Sequence, residues 1–350
     1  MLVEQTRERL ESLEIGGGRM LVAASGGLDS TVLLALLRVL AAPLGLELVV
    51  GHVNHQLRGE ASERDERWLE ERSQEWGLAF HARRIDPQAT RRGLPSRQRP
   101  TLEEACRDGR RQALGRLADE LGCRWIATAH HADDQAETVL LRILRGTGPE
   151  GLAAMAPRSP DGRWLRPLLG VARAELEVWA KSHGLDWRED ASNEDRRFAR
   201  NRLRHDFLPQ LKSAFNPQLL RALCDLAEAQ RRDLEWIEAL VETAAKERIE
   251  VGPAGIRVAI DGWEALPEAL ARRLARRVLI RAGLGRALSR RHLDRLLAFF
   301  RRGRMAGGDK ELELPEGIRV RRSGDFFLVA PLGPAERIDP GGNATVLERD

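Results

Sequence analysis

Six residues, Ser25-Gly26-Gly27-Leu28-Asp29-Ser30, constrain this chain more than any other stretch. Before them, Met20–Ala24 is an apolar run of the length of a buried parallel strand. After them, Thr31–Leu37 is apolar on most sides and reads as a packed helix. Strand, glycine turn and helix together aim free backbone N–H groups at an anion. Gly26 and Gly27 let the main chain approach a ligand and take positive φ, while Ser25 and Ser30 add hydroxyl donors. The whole turn, Leu28 included, is therefore a candidate phosphate cradle. Asp29 would repel a bare phosphate, so a carboxylate here implies a divalent cation between the two.

The turn is not a Walker A loop, which needs a Lys after its last Gly. The four lysines, Lys181, Lys212, Lys246 and Lys310, all lie far along the chain. Nor does a G-x-G-x-x-G dinucleotide fingerprint follow the strand. The plain structural alternative is a βα turn capped by Ser30; the full S-G-G-x-D-S between strand and helix outweighs it. This stretch resembles the signature of the PP-loop ATP pyrophosphatases, which split ATP between its α and β phosphates and adenylate a substrate.

A length of 350 residues suggests two or three domains. No run approaches the roughly 18 apolar residues of a membrane span, and Met1–Arg19 is charged, without the apolar core of a signal peptide. Cys106, Cys123 and Cys224 have neither metal-ligand spacing nor the pattern of a disulfide framework. A cytoplasmic protein with no membrane partner is the expectation. Net charge is +4, carried almost wholly by arginine, which forks onto phosphate and stacks on bases. Genome composition accounts for much of that usage, so the arginines' positions matter more than their number.

Periodicity predicts a short helix at Val3–Leu13, strands at Leu46–Val53, Leu78–Ile85 and Trp125–His130, and helices at Glu60–Trp76 and from Thr101 to near Gly122. Alternating β and α elements imply a doubly wound parallel sheet. His52 and His55 lie at the carboxyl end of the second strand, where polar groups line the crevice of such sheets; ordinary loop histidines are the even alternative. Asp86–Pro100, with Arg91, Arg92, Arg97 and Arg99, reads as a mobile loop. His130-His131-Ala132-Asp133-Asp134-Gln135-Ala136-Glu137-Thr138 stands at another strand-to-helix junction. A capping box from Asp134 to Glu137 explains one Asp and one Glu, but not two histidines and a second Asp. Clustered carboxylates there fit Mg²⁺ held with nucleotide phosphates. Val139–Arg145 is then helical.

Ser25–Ser30, His52–Gly59, His130–Thr138, Leu141–Gly148, Arg166-Pro167-Leu168-Leu169 and Glu189–Arg204 together are similar to the tRNA(Ile)-lysidine synthetases within the PP-loop superfamily. Asp190–Arg204 is the stretch most specific to that family. Two departures stand out: Ala191 where the family has Pro, and Arg111 where it has an aromatic.

Further on, Leu208–Lys246 and Pro267–Arg301 read as helices and Glu311–Pro331 as short strands. Between Arg272 and Arg304 lie twelve arginines and one acid, Asp294, a one-sign face suited to a phosphate backbone. The expected division is 1–207, a PP-loop ATP-binding catalytic domain; 208–332, a mainly helical, Arg-rich tRNA-binding domain; and 333–350, a disordered tail. Many family members carry a further C-terminal domain, for which this chain looks too short, as a compact or truncated member would be.

The resemblance implies adenylation of the C2 oxygen of the wobble cytidine in the CAU anticodon of an isoleucine tRNA, with ATP and Mg²⁺. The ε-amine of L-lysine then displaces AMP to give lysidine. It implies that backbone N–H groups of Gly26–Ser30 hold pyrophosphate with His52 nearby, and that Asp29 and Asp134 hold Mg²⁺. His130 and His131 would steady phosphates, and Arg202 or Arg204 would stabilise the adenylate. Glu137 would pair with the lysine ammonium, while Arg107, Arg110 and Arg200 would reach substrate. A homodimer is carried over from the family alone. Three rivals remain. A PP-loop thiolase would want paired cysteines, and no C-x-x-C exists here. A small-molecule PP-loop synthetase would not need the arginine-loaded helices, and a non-catalytic RNA-binding adaptor would not need Asp29, Asp133 and Asp134.

Overall fold

The computed structural model describes residues 1–93, 95, 99–188, 196, 198–284, 289–303 and 311–331. Arg97, residues 189–195 of the family-specific stretch, Arg286, Arg304 and the expected tail 333–350 lie outside the described residues. Its contacts divide into two units, Met1–Arg231 and Arg232–Asp350.

The first unit begins with α1 (Leu2–Ser12), β1 (Gly18–Ala23), α2 (Leu28–Ala41), β2 (Leu46–Asn54), α3 (Glu60–Glu75) and β3 (Ala79–Arg84). It continues through α4 (Leu102–Glu120), β4 (Trp125–Ala127), α5 (Ala132–Leu144), α6 (Pro149–Leu152), β5 (Trp164–Leu165) and α7 (Arg173–Ser182). Next come α8 (Ala199–Arg202), a π turn at Leu203–Phe207 and α9 (Leu208–Ala214). The last helix, α10 (Leu219–Arg248), runs on into the second unit.

The strands form a parallel sheet in the order β3-β2-β1-β4-β5, the doubly wound architecture the sequence predicts. Leu21 faces Val49 on one side and Ile126 on the other, so β1 is central. Because its neighbours are β2 and β4, the chain reverses its winding direction there, and a crevice opens at the carboxyl ends of β1 and β4. The loops after those two strands carry the two motifs. Helix α2 buries Leu33, Leu34, Leu36 and Leu37 against Met20, Val22, Leu48 and Val50, which explains a segment apolar nearly all round.

Three boundaries differ from expectation. Strand β4 ends at Ala127, although the Thr128 N–H still donates to the Leu165 carbonyl (2.9 Å) as the last rung of the ladder with β5. Helix α5 begins at Ala132, inside the motif, and β5 is too short to have left a pattern. The first unit also extends past residue 207, because Leu223 and Ala227 at the start of α10 pack on Ala136 and Val139.

In the second unit β6 (Ile249–Gly252), β7 (Gly255–Ala259), α11 (Glu268–Arg281) and α12 (Arg290–Arg302) precede β8 (Glu311–Leu314), β9 (Ile318–Ser323) and β10 (Phe326–Pro331). The strands make an antiparallel sheet, β6-β7-β10-β9-β8. Phe300 packs between Trp263 and Phe327, at ring centroid distances of 4.4 and 4.8 Å.

The one-sign arginine face does not survive folding. Arg272 donates to Glu268 (2.7 Å) and Asp294 (2.5 Å), and Arg301 donates to the other oxygen of Glu268 (2.5 Å). Arg277 is held by Glu238 (2.7 Å) and Glu242. The countering acids Glu238, Glu242 and Glu268 come from outside the 272–304 window. What remains is narrower. Arg291, Arg295 and Arg302 are exposed, stand with Ala298 on one side of α12, and make no ion pair among the described residues. Of the whole chain's described helices, none is long and apolar enough to cross a membrane.

Candidate active site

The loop after β1 turns on Gly26, whose φ is +84°. A Cβ there would touch the Trp68 ring at an ordinary 3.4 Å, so it is the backbone conformation that calls for glycine. The Gly26 carbonyl accepts from the Arg188 N–H (2.9 Å) and the Thr31 hydroxyl (3.3 Å). Ser30 shapes the loop from inside: its hydroxyl accepts from the Ser25 N–H (3.1 Å) and reaches the Gly27 carbonyl (3.1 Å) and Ser25 Oγ (3.2 Å). The two serines thus hold the turn in shape rather than stand as free donors. Leu28 is buried in the core, so it can offer a ligand its main chain alone. His52 is buried too, and its Nδ1 donates to the Ala24 carbonyl (2.9 Å). Burial lowers its pKa and keeps it neutral, a brace for the end of β1.

The loop after β4 brings in the second motif. The His131 N–H donates to Asp134 Oδ2 (3.1 Å) and so opens α5. The ring of His131 is buried and stands among three carboxylates. Its Nε2 lies 3.6 Å from Asp29 Oδ2 and 3.4 Å from Asp134 Oδ2, and its Nδ1 lies 3.5 Å from Asp133 Oδ2. Burial disfavours its charge, but Asp133, Asp29 and Asp134 outweigh that and raise its pKa to about 9. Burial likewise opposes ionisation of Asp133, yet His131 and the Arg173 N–H (2.8 Å) hold it down at about 2. His130 goes the other way: burial, with Arg166, Arg110 and Arg200 nearby, depresses its pKa against the pull of Asp134. It shares a hydrogen bond with Thr128 Oγ1 (2.9 Å). Two adjacent histidines therefore differ in charge at neutral pH. His131, expected with His130 to steady phosphates, is ringed by carboxylates, whereas His130 stands beside Thr128.

The third contribution comes from α8 and the π turn. Arg200 Nε donates to Glu137 Oε2 (2.7 Å) and its Nη2 to Asp134 Oδ1 (3.0 Å). Arg204 Nε donates to Glu137 Oε1 (2.5 Å), and its Nη2 to Glu137 Oε2 (3.0 Å) and Asp134 Oδ1 (3.1 Å). Glu137 is fully buried with both oxygens taken, so it is not the open carboxylate that a lysine ammonium was expected to meet. Arg202, expected beside Arg204, is exposed, and its Nη1 donates to the Arg196 carbonyl (3.1 Å). Arg107 is also exposed, near Asp108 at 3.5 Å. Arg110 feels the charges of Arg200 and Asp134.

One oxygen in this network is left over. Asp29 Oδ1 is buried and has no hydrogen-bond partner among the described residues, although Arg173 Nε comes to 3.7 Å. Arg173 is the residue sequence reasoning missed. It lies about forty positions beyond the second motif, and its one local signal is its place at the first position of α7.

The pKa shift of His131 predicts a pH dependence. A pKa raised in the folded state adds stability that is complete below the unfolded value of roughly 6.5 and is lost as pH climbs through about 9. Thermal unfolding followed between pH 6 and 10 should show the midpoint falling across that window, and His131→Gln should flatten the fall.

Comparison with known proteins places these features in context. A PP-loop domain model matches residues 2–211, and a TilS substrate binding domain model matches residues 259–325. A tRNA(Ile)-lysidine synthase of Geobacter sulfurreducens is 39% identical over 88% of this chain and 64% of its own length. One from Solibacter usitatus is 35% identical over 89% of this chain and 67% of its own. One from Thermosynechococcus vestitus is 33% identical over 91% and 88%. The chain thus spans about two thirds of the length of the first two. In fold, it is similar to a U34-tRNA thiolase from Methanococcus maripaludis, with a TM-score of 0.51 and 18% identity over 65% of this chain and 79% of that one.

Proposed function

Because the chain belongs to the tRNA(Ile)-lysidine synthase family, we propose that it couples the cleavage of ATP into AMP and pyrophosphate to the attachment of lysine to the wobble cytidine of an isoleucine tRNA. One observation supports this above the others: in the glycine turn Asp29 keeps a buried Oδ1 with no hydrogen-bond partner among the described residues, and Asp134 is turned toward the same His131 nitrogen as its Oδ2. Among the described residues no group of three or more His, Cys, Asp or Glu side chains could hold a metal by itself. Mg²⁺ characteristically takes one or two carboxylates and completes its shell with water and phosphate oxygens, so the donor set fits. Asp29 would hold it through its free oxygen; Asp134 would join by giving up a guanidinium. Bound there, the ion would neutralise charge on the leaving pyrophosphate.

The chain's own groups do the rest. Main-chain N–H groups of Gly27–Ser30 at the start of α2 receive phosphate oxygens. Neutral His130 can donate to an oxygen without repelling a guanidinium. The cytidine C2 oxygen attacks the α phosphorus, the bond to the β-phosphate oxygen breaks, and pyrophosphate leaves with that electron pair. The neutral ε-amine of lysine then attacks C2, and AMP departs. An ammonium arriving at Glu137 would have to replace Arg200 or Arg204. The direct test is incubation with ATP, Mg²⁺, labelled lysine and purified tRNAs. Label in the CAU-anticodon isoleucine tRNA alone supports the reading; no label, or label in methionine tRNAs, rejects it.

For tRNA binding, the stripe Arg291–Arg295–Arg302 is the better candidate, spanning about 16 Å of helix. Each phosphate contact contributes roughly 0.7–0.9 to the slope of log affinity against log salt. Replacing all three by Ala should therefore reduce that slope by about 2. Arg272→Ala should lower the melting midpoint instead and leave the slope alone. An unchanged slope in the triple variant would take the stripe out of the interface.

A further inference from the structure

We propose that Arg173 is the phosphate-binding cation of this site, the residue that receives the β and γ phosphates in place of a loop lysine. The inference rests on the reading that ATP is cleaved here between its α and β phosphates. Its starting point is a deficit. The glycine turn carries a carboxylate and no cation, and none of the four lysines lies near it in sequence. A leaving pyrophosphate carries several negative charges, and a single divalent ion shared with Asp29 leaves most of them unbalanced.

The cations of the site are not equally available. Arg200 and Arg204 are committed to Glu137 and Asp134 by short, charge-assisted hydrogen bonds. His131 is enclosed by three carboxylates. Arg173 differs from all of these. Its side chain is 45% exposed, and among the described residues its ion pair is with Asp29, at 3.7 Å from Nε, too far for a hydrogen bond. Asp29 Oδ1, the oxygen it approaches, makes no hydrogen bond among the described residues. The side chain is thus held beside the loop carboxylate by charge alone, an arrangement that exchanges cheaply.

Its backbone is fixed by contrast. The Arg173 N–H donates to Asp133 Oδ2 at 2.8 Å, and Asp133 is in turn held by His131. The anchor ties the start of α7 to the second motif, so the root of the side chain is set while its head is free to turn. A planar fork of donors on a fixed root suits a polyphosphate better than the point charge of a lysine. When Asp29 engages a cation, the guanidinium loses its carboxylate and gains an anion within reach. Charge that builds on the bridging oxygen as the bond to the α phosphorus breaks is then met by Arg173.

The role separates the phosphates of one nucleotide, which gives a clean test. Affinities of wild type, Arg173→Ala and Arg173→Lys for ATP, pyrophosphate and AMP are measured by calorimetry with Mg²⁺ present. The expected result is a loss of about 10- to 100-fold for ATP and pyrophosphate in Arg173→Ala, with AMP affinity unchanged and partial recovery in Arg173→Lys. Equal losses for AMP and ATP would reduce Arg173 to a structural prop, and an unchanged pyrophosphate affinity would remove it from the site. If wild-type protein binds pyrophosphate but releases none from ATP in the presence of tRNA, the cleavage reading fails while the binding role of Arg173 stands.

Discussion

Replacing Asp29 by Ala should abolish pyrophosphate release, by on the order of 10³-fold or more, while tRNA affinity persists. The size follows from what the residue holds. Oriented charge at a phosphoryl-transfer centre supplies several kcal/mol of transition-state stabilisation, and a metal-anchoring carboxylate cannot be replaced by water without losing its position. The fold should tolerate the change, because among the described residues Asp29 Oδ1 has no hydrogen bond to lose and Oδ2 makes a 3.6 Å contact with His131. Release of pyrophosphate at wild-type rates from Asp29→Ala would reject the metal role, and loss of tRNA binding with intact cleavage would reject it equally.

The second large effect is on stability. Glu137→Ala should lower it by about 3–5 kcal/mol, a fall in the unfolding midpoint on the order of 10 °C. The carboxylate is the common acceptor of Arg200 and Arg204, on a segment more than sixty residues away. Without it two partly buried guanidiniums face one another across a cavity, with Asp134 Oδ1 as their remaining shared partner. Glu137→Gln, which keeps the shape and one acceptor, should lose less. The measurement is thermal unfolding without any substrate. A midpoint unchanged by Glu137→Ala, with a raised KM for lysine, would return Glu137 to the ammonium-binding role the family resemblance implies.

These two residues also mark how far the sequence could be read. The glycine turn was legible because its determinants are local: an apolar strand, a glycine at positive φ, a carboxylate and an apolar helix occupy consecutive positions. The parallel sheet followed from alternation, and the crevice from the rule that motifs at successive strand ends face one edge. Pairing across the chain was not legible. Nothing near Glu137 announces Arg200 and Arg204, and nothing near Asp29 announces Arg173. The opposite charge states of His130 and His131 depend on which of two adjacent rings three carboxylates surround. The arginine-rich helices misled for the same reason, since Glu238 and Glu242 lie a helix away from the Arg277 they neutralise. Strand β5, two residues long, is defined by its partner Ile126–Ala127 and by nothing in its own composition.

The central claim is that the Gly26 turn and Asp29 direct cleavage to the bond between the α and β phosphates. Phosphorus NMR of the products formed from ATP, with Mg²⁺, lysine and the isoleucine tRNA present, tests it most directly. AMP and pyrophosphate in equal amounts, formed only when the tRNA is added, are the expected result. ADP and inorganic phosphate, or no turnover of ATP, would contradict it.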